Sequence, residues 1–174
     1  VIRIIAGSLR GRSIRVAPNP ALRPTGNKVR EAVFNILAAR IEIEGLRFLD
    51  AYAGSGAVGI EALSRGAAFA EFLEADRKTA RVLSDALSEL GLAGRSRVTS
   101  SLRPVELDFD ILFADPPYAV TAPALDASVL ALRDGGRAII ETSSFEPPAI
   151  TGMRIERSYR YGKAHLHLFI KEAP

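Results

Sequence analysis

A chain of 174 residues, 48% hydrophobic and 25% charged, has the balance of an ordinary globular domain. At this length a chain buries roughly 70% of its unfolded surface, enough for a core without covalent staples. It has no cysteine, which excludes disulfides, cysteine zinc sites and thiol catalysis. No apolar run approaches the ~18 residues of a membrane span. Arg3, Arg10 and Arg12 interrupt the start where a signal peptide would be apolar, so a cytoplasmic protein with no membrane partner is expected. A few residues are expected to precede Val1. The net charge of +3 is unevenly placed: residues 1–30 hold seven basic and no acidic side chains, while the rest holds 16 basic and all 20 acidic ones. A basic arm on a mildly acidic body points to an acidic partner such as nucleic acid.

In chain order, residues 2–5 and 12–16 are short β-like runs around a glycine-containing turn, a hairpin. Pro18, Pro20 and Pro24 stiffen the connector that follows. Val29, Val33, Phe34, Ile36, Leu37 and Ile41 recur at helical spacing, so 26–41 reads as an amphipathic helix with Thr25 as N-cap and Gly45 beyond its end. From there β and α alternate. Strands are expected at 46–50, 69–73, 97–100, 109–114 and 137–142, and helices at 56–65, 76–90 and 123–132, the last followed by Asp134-Gly135-Gly136. Residues 154–159 and 165–171 close the chain as a hairpin around Gly162 and Lys163, adding antiparallel strands at one edge. The alternation implies a mostly parallel sheet with helices on both faces. Strands buried on both sides explain apolar runs without alternation.

Two stretches carry chemistry. The first strand runs into Asp50-Ala51-Tyr52-Ala53-Gly54-Ser55-Gly56-Ala57-Val58-Gly59 and then a helix. Gly54 and Gly56 let a ligand approach the backbone closely. Glu74 follows Gly54 by 20 residues, at the end of the second strand. Gly54-x-Gly56-x-x-Gly59 matches a dinucleotide fingerprint, so a nicotinamide enzyme has to be weighed. Against it, Tyr52 lies in a turn too long for that fingerprint, and Asp50 sets a carboxylate where a pyrophosphate would lie. A carboxylate suits a cation. S-adenosylmethionine has an ammonium and a sulfonium centre and no phosphate, and Glu74 would receive its ribose hydroxyls.

The second stretch, Asp115-Pro116-Pro117-Tyr118, ends the apolar strand 109–114. Neither proline continues a central ladder. The chain leaves the sheet stiffly, with the carbonyls of Asp115 and Pro116 free beside an aromatic face, a cradle for a flat molecule bearing an amino group. In such sheets ligands sit at the carboxyl ends of strands, near the switch in strand order. The two stretches then share one rim, where a cofactor and a substrate would meet.

With these residues in hand, the sequence resembles the class I S-adenosylmethionine-dependent methyltransferases and, more closely, the RsmD family, which methylates a guanine N2 in bacterial 16S rRNA. The glycine loop at 48–67, Asp115-Pro116-Pro117-Tyr118, the beginning from Arg3-Ile4-Ile5-Ala6-Gly7 through Arg23-Pro24-Thr25 to Leu37, and Tyr161-Gly162-Lys163 carry the resemblance. It implies an α/β, Rossmann-like class I methyltransferase fold. The sheet would be seven-stranded and mostly parallel, with an antiparallel C-terminal hairpin and a small N-terminal hairpin and helix extension. Residues 1–25 would be the basic extension and 26–174 the methyltransferase domain. The implied cofactor is S-adenosylmethionine, with S-adenosylhomocysteine as product and no metal. Its site would comprise Asp50, Ala53, Gly54, Gly56, Glu74, Ala75, Ser101, Leu102 and Asp115. Asp115, Pro116 and Tyr118 would be catalytic, and Arg10, Arg12, Arg23, Thr25, Lys28 and Arg30 would contact RNA. The family's aspartate after the third strand is absent here, where Val98-Thr99-Ser100-Ser101-Leu102 leaves Ser101 or the backbone to accept the adenine amino group.

The expected partner is 16S rRNA, free or in an assembling small subunit, and a monomer is expected. A DNA adenine-N6 or other amino-group methyltransferase and a non-catalytic RNA-binding module remain alternatives, with the nicotinamide enzyme behind them. His165 and His167 share one face of the last strand without acidic companions, which favours a structural or surface role over a metal site.

Overall fold

The structure, a computed structural model, describes residues 1–16, 26–101, 103–117 and 122–173. Ile2–Arg3 (β1) and Ser13–Ile14 (β2) pair antiparallel with Ile2 opposite Ile14. Ile2, Ile4 and Ile14 point inward and are buried, while Arg3 and Ser13 face solvent. Asn27–Ala38 (α1) follows, its Ala32, Val33, Ile36 and Leu37 stripe buried. Its N-cap is Gly26, in an extended conformation and without a side-chain bond. The expected cap, Thr25, lies outside the described residues. The helix stops at Ala38 rather than running to 41, because Arg40 N–H tightens onto the carbonyl of Leu37 at 2.8 Å.

Arg47–Ala51 (β3), Phe69–Leu73 (β4), Ser96–Thr99 (β5), Phe109–Ala114 (β6), Leu132–Thr142 (β7), Met153–Tyr161 (β8) and Ala164–Lys171 (β9) form one seven-stranded sheet. Its order is β5-β4-β3-β6-β7-β9-β8, with β3 to β7 parallel and the β8–β9 hairpin antiparallel at one edge. Ala57–Ser64 (α2), Arg77–Glu89 (α3) and Ala122–Leu130 (α4) connect the strands. Asp76 caps α3, its Oδ1 accepting from Thr79 N at 2.8 Å.

Side chains alternate across the sheet. Phe48, Phe72, Ile111, Phe113 and Ile139 pack with α1, α2, α3 and the N-terminal hairpin on one face. Leu49, Leu73, Leu112, Ala114 and Ile140 pack with α4 on the other. Phe34, Phe48 and Phe72 are fully buried, each worth about 1.5–3 kcal/mol of burial.

A second expected boundary also moves. Strand β7 starts at Leu132, before Asp134-Gly135-Gly136 rather than after it. Phe109 pairs with Leu132 but Ile111 with Arg137, so the glycines form an irregularity inside the strand. Gly135 has φ +74°, and a Cβ on Gly136 would lie 2.8 Å from the Arg133 carbonyl oxygen, so this backbone kink depends on glycine.

The chain runs β3, β4, β5 towards one edge and then returns to lay β6 on the other side of β3. The switch in strand order therefore falls between β3 and β6. Asp50 and Asp115 flank it.

Candidate functional site

The glycine loop is held from inside. Asp50 is 1% exposed near the end of β3, and its Oδ2 accepts from Gly59 N in the first turn of α2 at 2.8 Å. A Cβ on Gly59 would lie 2.4 Å from the Phe72 ring and 3.0 Å from that same oxygen, so glycine is what lets α2 pack this close. Gly54 and Gly56 have φ of +54° and +70°, and a Cβ on Gly56 would meet Leu83 at 2.3 Å. Tyr52 also has a positive φ, 60°, and its buried hydroxyl has no partner among the described residues.

Glu74, just past the end of β4, ties this loop to the start of α3. Its Oε2 accepts from Gly54 N and its Oε1 from Asp76 N, both at 2.8 Å. Ala75 is exposed beside it. Ser101, also exposed, accepts from Arg103 N at 3.1 Å, while Leu102 lies outside the described residues. This segment is anchored by Glu71, which sequence reasoning passed over: fully buried, it accepts from Thr99 Oγ1 at 3.1 Å, Val105 N at 2.7 Å and Glu106 N at 3.1 Å. An acid within an apolar strand was the available signal.

Across the switch, Ala51 pairs with Ala114, so the chain leaves β6 at Asp115 level with the glycine loop. Asp115 and Pro116 are half-buried and Pro117 is exposed; Tyr118 lies outside the described residues. Burial pushes the Asp115 carboxyl up to about 6. Burial pushes Asp50 up to about 8, against the pull of the Gly59 hydrogen bond and with help from the charges of Asp115 and Glu74. Glu141, at the end of β7, is raised to about 7 by burial and by Asp115. Four carboxyl groups thus line the rim in strand order: Glu74, Asp50, Asp115, Glu141. The row offers acceptors next to glycines that expose backbone, and the raised Asp50, Asp115 and Glu141 carboxyls would ionise more readily beside a cation. That chemistry fits a cationic ligand such as S-adenosylmethionine and disfavours a pyrophosphate.

Among the expected RNA contacts, Arg10, Arg12 and Lys28 are exposed, and Arg23 and Thr25 lie outside the described residues. Arg30 has to be withdrawn. It is 0% exposed, donates to the Arg3 carbonyl at 2.6 Å and to Asn27 Oδ1 at 3.1 Å, and pairs with the equally buried Glu61 at 3.6 Å. Burial lowers its pKa. Its role is to brace the hairpin against α1 and α2. Glu61 completes that brace, accepting from Ile5 N and Ala6 N at 2.9 Å each and from Arg65 Nε at 2.9 Å. Ala6 and Ser64 also bond, and a Cβ on Gly7 would lie 1.8 Å from the Ser64 carbonyl oxygen. The hairpin is therefore locked onto the helix that starts from the glycine loop.

The structural reading of the histidines fits. His167 is fully buried between Ser158 Oγ at 2.8 Å, Thr142 Oγ1 at 2.9 Å and the Ser144 carbonyl at 3.0 Å. His165 meets the edge of Phe145.

Comparison with known proteins agrees with this architecture. Residues 2–170 match the family described as Conserved hypothetical protein 95. The chain is 42% identical over 140 residues to ribosomal RNA small subunit methyltransferase D of Escherichia coli strain K12, covering 78% of this chain and 68% of that protein. The solved structure of the yhhF protein of Escherichia coli superposes with a TM-score of 0.85 at 33% identity, covering 99% of both chains. A SAM-dependent O-methyltransferase of Thermotoga maritima, 18% identical, shares the fold with a TM-score of 0.65 over 88% of this chain and 68% of that one. With the family match spanning nearly the whole chain and the glycine loop and Asp115 on one rim, this chain belongs to the family of ribosomal RNA small subunit methyltransferase D.

Proposed function

We propose that this chain transfers a methyl group from S-adenosylmethionine to the exocyclic N2 of a guanine in the 16S rRNA of the bacterial small ribosomal subunit. The observation that carries this is the meeting of Asp115 and Pro116 with Asp50 and the glycine loop across the β3–β6 switch. When bound, S-adenosylmethionine supplies an electrophilic methyl group on a positively charged sulfur and leaves as S-adenosylhomocysteine. Asp50, Ala53, Gly54, Gly56, Glu74, Ala75, Ser101 and Leu102 are the residues that would hold it. Each Glu74 oxygen spends one lone pair on a loop amide and keeps a second for a ribose hydroxyl.

An exocyclic amino group is a poor nucleophile because its lone pair is delocalised into the ring. The Asp115 carboxylate and the Pro116 carbonyl accept its two N–H hydrogens. This turns the lone pair out of the ring and stabilises the positive charge that develops on nitrogen. Tyr118 stacks on the base. The base has to leave its helix to reach the rim, so flipped or single-stranded RNA is the substrate form. Alignment of the two ligands then supplies much of the rate. With a pKa of about 6, Asp115 is a base of suitable strength for the amino proton. Arg10, Arg12, Arg23, Thr25 and Lys28 hold the RNA backbone outside. The protein works as a cytoplasmic monomer, on naked rRNA or on assembling subunits.

The test is incubation with methyl-labelled S-adenosylmethionine and 16S rRNA, assembling small subunits, DNA or no acceptor, followed by mapping of the labelled nucleotide. Label is expected as N2-methylguanine in 16S rRNA. Asp115→Ala should lower turnover by about 10²–10³-fold while S-adenosylhomocysteine affinity stays within severalfold. Label on DNA adenine, or no transfer to any acceptor, would refute the assignment.

A further inference from the structure

Glu141 is a half-buried residue whose carboxyl the chemistry above does not use. It lies at the end of β7, the strand next to β6, where Ala114 pairs with Ile140. Asp115 and Glu141 therefore sit one strand apart at the same level, roughly 4.8 Å in sheet spacing. Both continue the face that carries Phe113 and Ile139, the face on which Asp50 meets α2. The Oε2 atom of Glu141 is buried and has no hydrogen-bond partner among the described residues. Two fully buried acids elsewhere in the fold are treated differently: Glu61 accepts from Ile5, Ala6 and Arg65, and Glu71 from Thr99, Val105 and Glu106. A buried acceptor without a partner is rare in folded proteins and needs a reason. A hydrogen donor from the substrate is one.

We propose that Glu141 is a base-recognition residue, accepting the N1–H of the target guanine beside the amino group held at Asp115. The inference rests on the guanine-N2 reading above. Guanine presents two adjacent donors, N1–H and N2–H, to two adjacent acceptors. A base whose neighbouring ring nitrogen is itself an acceptor, as in adenine or 2-aminopurine, turns a lone pair towards the Glu141 carboxylate, which can meet it only by taking up a proton. Glu141 thereby supplies the choice of base that Asp115 and Pro116, which read only an amino group, leave open. The nearness of the two carboxyls also shows in Glu141, whose pKa is raised by burial and then by the charge of Asp115.

The test uses the full chain with 16S rRNA in which the mapped target guanine is replaced by 2-aminopurine, which keeps the 2-amino group and loses N1–H. Wild type should favour guanine by about 10–100-fold, both in kcat/KM and in RNA affinity measured with S-adenosylhomocysteine present. Glu141→Gln, whose amide accepts or donates, should bring both ratios within about threefold. Its melting temperature should be unchanged or higher, because an unpartnered buried acid is removed. A ratio unaltered by Glu141→Gln, with guanine N2 still the product, would overturn this role and leave the proposed reaction standing. So would a melting temperature lowered by more than about 5 °C, which would make Glu141 a structural group. A wild-type product other than N2-methylguanine would overturn both.

Discussion

Glu61→Gln tests whether the N-terminal hairpin is held by a buried charge. The wild-type carboxylate is fully buried and accepts two backbone N–H groups, from Ile5 and Ala6, and one guanidinium N–H, from Arg65. It is also the counter-ion of Arg30, itself fully buried, with Nε and one terminal nitrogen lacking hydrogen bonds among the described residues. Glutamine keeps one acceptor oxygen and turns an NH2 towards the other donors. One backbone N–H is then left unpaired, at about 1–3 kcal/mol. Arg30 loses its compensating charge, and breaking such a buried pair costs about 3–5 kcal/mol. The two costs overlap, so we expect about 3–5 kcal/mol in total, a substantial part of a domain's stability of about 5–15 kcal/mol. At roughly 2–4 °C per kcal/mol for a chain of this size, the melting temperature should fall by about 6–20 °C. Urea unfolding measures the first quantity. Hydrogen exchange at the Ile5 and Ala6 amides and tryptic cleavage after Arg10 and Arg12 report whether the hairpin has left α2. Stability within about 0.5 kcal/mol of wild type, with Ile5 and Ala6 still protected, would refute the reasoning.

Three further outcomes are expected. Gly59→Ala forces a Cβ to within 2.4 Å of the Phe72 ring, so it should cost about 1–3 kcal/mol in chemical unfolding and weaken S-adenosylhomocysteine binding in calorimetry; unaltered values for both would exclude the close-packing role of this glycine. Asp50 is raised to about 8, far above its unfolded value of roughly 4, so between those pH values the unfolded chain ionises first and stability declines as pH rises. Below that window the group contributes no pH dependence, and above it the penalty is constant. Asp50→Asn keeps an acceptor for Gly59 N and should flatten the decline, gaining roughly 2–5 kcal/mol at pH 8 in the ligand-free protein; parallel pH profiles would contradict the burial argument. Glutamate at Arg10, Arg12 and Arg23 should weaken RNA binding and reduce the salt slope by roughly 0.7 for each lost phosphate contact, whereas an unchanged slope would remove the arm from the interface.

Much of the fold is legible along the chain. Parallel strands covered on both faces need uninterrupted apolar runs, and 69–73 and 109–114 emerge with the expected bounds. The glycine loop is legible because positive φ and close packing leave no choice of residue at Gly56 and Gly59. Asp115 is legible because two prolines end a ladder. The β7 boundary is not, since Asp134-Gly135-Gly136 has the composition of a turn and becomes a kink only because β6 supplies a partner on either side of it.

The local sequence by itself determined where the chain turns, which runs are buried and which carboxylates stand at strand ends, because each depends on neighbours within a few residues. It did not determine where charges point. Arg30 is one more basic residue in a basic arm until α1 packs against α2 and turns it inward, away from solvent and onto Glu61. Glu61 sits in a helix whose eight residues are all buried, so no polar stripe marks its direction; the hairpin some 55 residues earlier in the chain supplies its partners. Glu141 reads as the polar end of a strand, and only the pairing of Ala114 with Ile140 brings it beside Asp115. Burial and pairing of a charge are decided by elements distant in sequence. The tertiary structure alone therefore separated the arginine that braces the fold from those left exposed, and set a second carboxyl beside the one that the sequence had already marked.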